Sequence, residues 1–131
     1  MIYTIIIYIL FSHFIADFIM QTHEMATGKS DSIYWLSRHI LSYGKTFFVS
    51  SLLFIFIAIL CGYECVHLAP LIILYIFINM ALHWVTDYFT SKQTKKYFSK
   101  NDYHNGFVWV GLDQFIHQIT LITTFYYIFI H

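Results

Sequence analysis

Three histidine–aspartate pairs, each spaced four residues apart, interrupt the apolar runs of this chain. His13 precedes Asp17 in "HFIADFIMQ" and His83 precedes Asp87 in "HWVTDYF", whereas in "DQFIH" the order reverses and Asp113 precedes His117. A four-residue step along an α-helix rises about 6 Å and turns about 400°, so the members of each pair share one helix face. Imidazoles and carboxylates on shared faces are the donors that bind divalent cations, relay protons or join helices through hydrogen bonds.

The elements that must position these pairs are membrane helices. Of 131 residues, 59% are hydrophobic and 21% aromatic, with 11% charged and one proline, which is too apolar for a water-soluble domain of this size. A hydrocarbon core of about 30 Å takes about 20 helical residues. Four stretches satisfy this, approximately 2–20, 39–60, 68–89 and 107–130. Pro70 falls near the start of the third, where its missing N–H costs nothing. Ser30 or Asp31 is placed to cap the second helix early, making 33–38 an amphipathic lead-in, and "NDYHNG" supplies a turn before the fourth. The expected fold is an all-α polytopic membrane protein, a four-helix transmembrane bundle in which residues 1–131 form a single domain.

Seven basic residues balance seven acidic ones, so no net field draws nucleic acid and charge acts only locally. Lys29 and Arg38 lie between the first and second spans, and Lys92, Lys95, Lys96 and Lys100 between the third and fourth; "CGYECVH" carries neither Lys nor Arg. The positive-inside rule makes the two basic loops cytoplasmic and puts both termini on the opposite side, with the bacterial inner membrane as the expected location. The N-terminal run "MIYTIIIYIL" lacks the basic region of a cleavable signal and is expected to stay as a helix. Cys61 and Cys65 are too few for a disulfide framework and read as buried or interfacial thiols.

With this topology every pair puts its aspartate nearer the cytoplasm and its histidine one turn deeper, and the second span adds His39 and, one turn further in, Tyr43. An aspartate at the centre of a span costs roughly 2.5–3.5 kcal/mol, so Asp17, Asp87 and Asp113 must face inward and find partners. As polar glue, each pair would be a local hydrogen bond. As a metal centre, His13, Asp17, His39, His83, Asp87, Asp113 and His117 are candidate ligands for a divalent ion, zinc first, with manganese, iron or nickel accepting the same donors. Bound water of pKa about 7 would then serve a hydrolase, with Asp17, His39, Asp87 and Asp113 as catalytic candidates. As a proton or cation relay, the cluster lacks continuation, because the outer half offers little beyond Asn79 and a few Ser and Thr.

Gln21, Met25 and Lys29 continue the four-residue series, so a helix running on past the membrane would bring Lys29 over the cluster to meet an anionic group, although a snorkelling lysine is the plainer reading. Gln21, Lys29, Tyr43 and Gln114 are the substrate-binding candidates. Lys45, inside the second span, is the nearest cation to the carboxylates in sequence and could replace a metal as their counter-charge. Tyr34, Trp35, Tyr97, Tyr103, Trp109, Tyr126 and Tyr127 fall at span ends as interfacial belts, "SKQTKKYFSK" is a basic segment beside the membrane, and His23, His67, His104 and His131 read as surface residues.

The set His13, Asp17, Phe18, Gln21, Met25, Ala26, Lys29, His39, Tyr43, His83, Asp87, Asp113, Gln114 and His117 resembles, in order and spacing, a family of small bacterial and phage membrane proteins catalogued as domain of unknown function 3307. The resemblance covers nearly the whole chain. It implies a polytopic prokaryotic or viral protein and brings no established activity. The expectation is a membrane-embedded metal-dependent hydrolase of a phosphoester or lipid-linked substrate. The alternative is a non-enzymatic conductor or a phage or host interaction factor. Partners expected are the lipid bilayer, an anionic or lipid-linked substrate and further copies of the chain, since short spans bury little surface.

Overall fold

Helix α1 (Ile2–Phe14) runs directly into a π turn at Ile15–Ile19, a short α2 (His23–Gly28) follows, and the long α3 (Ile33–Leu60), α4 (Ala69–Phe98) and α5 (Tyr103–Phe129) complete the chain. This computed structural model describes residues 2–131, and no strand occurs among them. The protein is all-α.

Local chemistry sets the helix ends. Thr22 adopts an extended backbone and its hydroxyl accepts from the Met25 N–H at 3.3 Å, which starts α2. The residue before α3 is Ser32, with no side-chain cap; the expected caps are engaged elsewhere, Ser30 donating to the Thr27 carbonyl and Asp31 pairing with Lys95. The lead-in 33–38 is therefore continuous with the second span. Pro70 lies in the first turn of α4, as its sequence position requires, after a 3₁₀ turn at Val66–Leu68. The turn before α5 is tighter than "NDYHNG" suggests. Asn101 takes a left-handed φ of 58°, Asp102 accepts from the Asn105 N–H at 3.2 Å, and the helix starts at Tyr103 rather than near 107.

Three helical stretches, Ile2–Ile19, Ile33–Leu60 and Val66–Phe98, are long and apolar enough to cross a membrane. The third expected span is longer than its apolar core, because α4 continues beyond residue 89 to Phe98. Helix α5 has 27 residues, but Asp113, Gln114, His117 and Gln118 interrupt its apolar run, and it is not among those three stretches.

Large apolar side chains, among them Phe11, Phe56, Phe77, Phe89 and Phe115, point outward, while most of the buried polar side chains lie inside one end of the bundle. The other end has an apolar core of Ile9, Phe47, Tyr75, Ile76, Leu121 and Phe125. The connection between α3 and α4 turns at Gly62 with φ 84°, and leaves Cys61 exposed and Cys65 half-buried as free thiols. His23, His67, His104 and His131 are exposed, in line with the sequence.

Helices α4 and α5 are joined by the short turn at 99–102 and lie against each other along their length. Gly106 makes room for the Phe98 ring against the start of α5, because a Cβ there would run into that ring. Gly106→Ala should therefore destabilise the detergent-solubilised protein by about 1–3 kcal/mol through overpacking. Gly111→Ala, which meets open space, should be neutral or gain up to about 1 kcal/mol of helix propensity. Thermal unfolding of both variants checks this.

Candidate metal centre

Every candidate ligand from the sequence is buried, and α1 with its π turn, α3, α4 and α5 all deliver side chains to one place. Asp17 arrives on the π turn, where the Met20 N–H reaches back five residues to the Ile15 carbonyl at 2.9 Å. The extra residue in that turn swings Asp17 away from its expected partner. His13 Nε2 lies 4.0 Å from Asp17 Oδ2, beyond hydrogen-bond range. Asp17 Oδ2 instead accepts from Gln114 Nε2 at 2.7 Å, and His13 pairs with Gln114 Oε1 at 3.1 Å.

Two imidazole nitrogens meet between two carboxylates. His39 Nε2 lies 3.1 Å from His83 Nε2, 3.1 Å from Asp17 Oδ1 and 3.3 Å from Asp87 Oδ2. His83 Nε2 lies 3.4 Å from each of the same two oxygens. These separations are of the size that metal ligands have: tetrahedral bonds of about 2.0–2.1 Å give ligand–ligand edges of about 3.3 Å. Asp17, His39 and His83 form one group able to hold a metal ion, and His83, Asp87 and His117 form a second. His13 and Asp113, both expected ligands, lie outside both groups, His13 paired with Gln114 and Asp113 engaged by Thr90 and Gln114.

Asp87 is wholly buried and engages partners from four segments. Its Oδ1 faces His117 Nε2 at 3.2 Å, and its Oδ2 faces His39, His83 and the Lys29 ammonium, which donates at 2.8 Å. Asp113 Oδ1 lies 3.3 Å from His117 Nε2 and accepts from the Thr90 hydroxyl, while its Oδ2 accepts from Gln114 at 3.2 Å. Thr90 went unnoticed in the sequence; its signal is its place three residues after Asp87, on the same face of α4.

The cation that reaches the carboxylates is Lys29, not Lys45. The helix breaks after the π turn, so Lys29 comes in from the segment following α2, and its side chain is only 14% exposed. Burial opposes its charge, but Asp87 and then Asp17 outweigh that cost and hold its pKa above the usual 10.5. Lys45 is exposed on α3, two residues from the inward-facing Tyr43 and so on the far side of the helix.

Tyr43, a substrate-binding candidate, is 1% exposed. Its ring lies 4.2 Å from that of His83 and 4.7 Å from that of Phe47, as a floor under the cluster. Gln21, Lys29 and Gln114 line a cavity of about 590 Å³ that also reaches Asp17, Asp87 and Asp113. Among the described residues, Gln21 Oε1 and the Nδ1 atoms of His13, His39 and His83 are buried without a hydrogen-bond partner. All the unpaired histidine nitrogens are on the ring edge away from the Nε2 contacts.

The sequence model of a family described as "Protein of unknown function (DUF3307)" matches residues 5–131. No curated protein matches the chain, and no solved structure does.

Removing the ammonium from Asp87 tests the pair. Lys29→Met should cost about 3 kcal/mol in metal-free protein at neutral pH, the low end for breaking a buried ion pair, because the lysine keeps some exposure. A raised lysine pKa means that this contribution is complete below 10.5 and is lost as pH climbs through the higher folded value. Unfolding curves of wild type and variant should therefore converge only in that alkaline range.

Proposed function

The chain belongs to the DUF3307 family of proteins of unknown function, and we propose that it is a membrane-embedded, metal-dependent hydrolase acting on a phosphoester or lipid-linked substrate. The observation that carries this reading is that His39 Nε2 and His83 Nε2 lie 3.1 Å apart and each within 3.1 to 3.4 Å of both Asp17 Oδ1 and Asp87 Oδ2. Charge supports it. Three buried carboxylates face one lysine, so with neutral histidines a single dication balances the cluster.

Two imidazoles and two carboxylates suit zinc first, and manganese, iron or nickel accept the same set. The ion supplies Lewis-acid polarisation of a phosphoryl oxygen and a bound water of pKa about 7. Asp17, His39, His83 and Asp87 hold it; Gln114 fixes Asp17 and Asp113; Lys29 and Gln21, on the cavity wall, meet the anionic part of the substrate. In this reading α5 is the fourth span of a four-helix bundle in a bacterial inner membrane. The basic loops, and with them the cavity mouth near Lys95, are cytoplasmic, the termini lie opposite, and copies of the chain associate in the bilayer.

The conductor reading has one observation in its favour, a hydroxyl chain beyond the cluster in which Ser12 contacts Ser50 at 2.6 Å and Ser50 donates to Tyr8 at 2.8 Å. That chain opens on a mostly apolar cavity of about 360 Å³ lined by residues such as Ile5, Ile9, Ile72 and Phe129, with no carboxylate or imidazole in its lining to carry a proton onward.

Elemental analysis of the detergent-purified protein should find stoichiometric divalent metal, lost in His83→Ala, and phosphate release from a lipid phosphomonoester in vesicles should fall to background in Asp87→Asn. Metal absent from the wild type would sink the proposal. Proton flux in proteoliposomes abolished by Asp87→Asn, with no hydrolysis, would establish the conductor instead.

A further inference from the structure

The four-atom site leaves a second set of buried donors unused. His117 Nε2 stands between two carboxylates, 3.2 Å from Asp87 Oδ1 and 3.3 Å from Asp113 Oδ1, and His83, Asp87 and His117 form a group able to hold an ion. We propose that this set is a second divalent-cation site and that Asp87 bridges two ions; the inference rests on the metal reading above.

Ring geometry fixes the spacing. The His83 and His117 imidazoles stack with centroids 3.9 Å apart and planes within 10°. Both present Nε2 to the carboxylates, His83 to Asp17 Oδ1 and Asp87 Oδ2, and His117 to Asp87 Oδ1 and Asp113 Oδ1. Two nearly parallel rings aimed at the same carboxylate layer address two positions about one stacking distance apart. Ions in two-metal hydrolytic sites stand about 3.5–4 Å apart, clamping the attacking and leaving oxygens of an in-line displacement. The Asp87 carboxylate has the matching form, with one oxygen committed to each side.

The second site has its own support. The Thr90 hydroxyl and Gln114 Nε2 donate to the two oxygens of Asp113 and fix its orientation, as outer partners of a ligating carboxylate do. Gln114 also holds Asp17, so one amide sets a carboxylate in each site. One dication together with Lys29 cancels three carboxylates, so a second leaves a positive surplus over the cavity. That surplus selects an anionic substrate, a phosphate group being the one whose oxygens can span both ions.

The test uses the full-length protein in detergent, stripped with chelator, loaded with Mn²⁺ alone and freed of excess ion. Wild type should hold two Mn²⁺ per chain with an exchange-coupled paramagnetic resonance signal. Asp113→Asn and His117→Gln should each hold one, with the six-line signal of an isolated ion. Two uncoupled ions, or two retained in Asp113→Asn, would place the second ion elsewhere and overturn the bridge. A single isolated ion in the wild type would overturn the second site and leave the hydrolase reading standing, whereas no retained Mn²⁺ together with no retained Zn²⁺ after the same loading would overturn both. The wild-type stoichiometry and coupling decide the matter even if either variant fails to fold.

Discussion

An ionised carboxylate taken out of water must be paired, and Asp87 meets that requirement more completely than any other side chain in the cluster. It is 0% exposed, and its two oxygens are shared among His39, His83, His117 and Lys29. Because the partners come from α3, α4, α5 and the segment after α2, satisfying one carboxylate fixes the relative rotation of most of the bundle. Gln114 extends the same constraint to α1, since its amide ties Asp17 and Asp113 while its carbonyl pairs with His13.

The two ends of the bundle are held by different forces. At the cluster end, association is electrostatic and directional. At the other, Phe47, Tyr75, Leu121 and Phe125 pack against one another, with a few hydrogen bonds such as Tyr75 to the Leu121 carbonyl at 3.2 Å and Asn79 to Thr124 at 2.9 Å. In lipid the apolar end gains no hydrophobic drive from leaving water, so close packing and these few polar links must hold it. The polar end sets which helices meet, and the apolar end keeps them parallel enough to do so.

Much of the site was legible because ionisable residues are conspicuous against so apolar a chain. The four-residue spacing identified His13, Asp17, His83, Asp87, Asp113 and His117 as inward-facing, and the structure buries all of them. Spacing alone did not identify their partners. His13 and Asp17 share a face only if the helix is regular, and the π turn, built from residues as ordinary as Ile, Ala and Phe, leaves no compositional mark. Lys29 was harder still: a continuous helix would have carried it along the series from His13, whereas the break before Thr22 brings it in from the side. Thr90 had only its place near Asp87 to mark it, because a threonine in an apolar helix is commonplace and gains significance once Asp113, on another helix, is beside it.

The widened turn at Ile15–Ile19 also makes the arrangement depend on chain length. Shortening that turn by one residue would restore an ordinary helical ladder and leave every polar side chain in place chemically. It would also rotate the downstream chain by about 100°, the angle one residue occupies in an α-helix. Asp17 would then return to His13, and its oxygen would leave His39 and Gln114 unanswered. At this point the protein stores information in how many residues lie between His13 and Met20, and not in which residues they are.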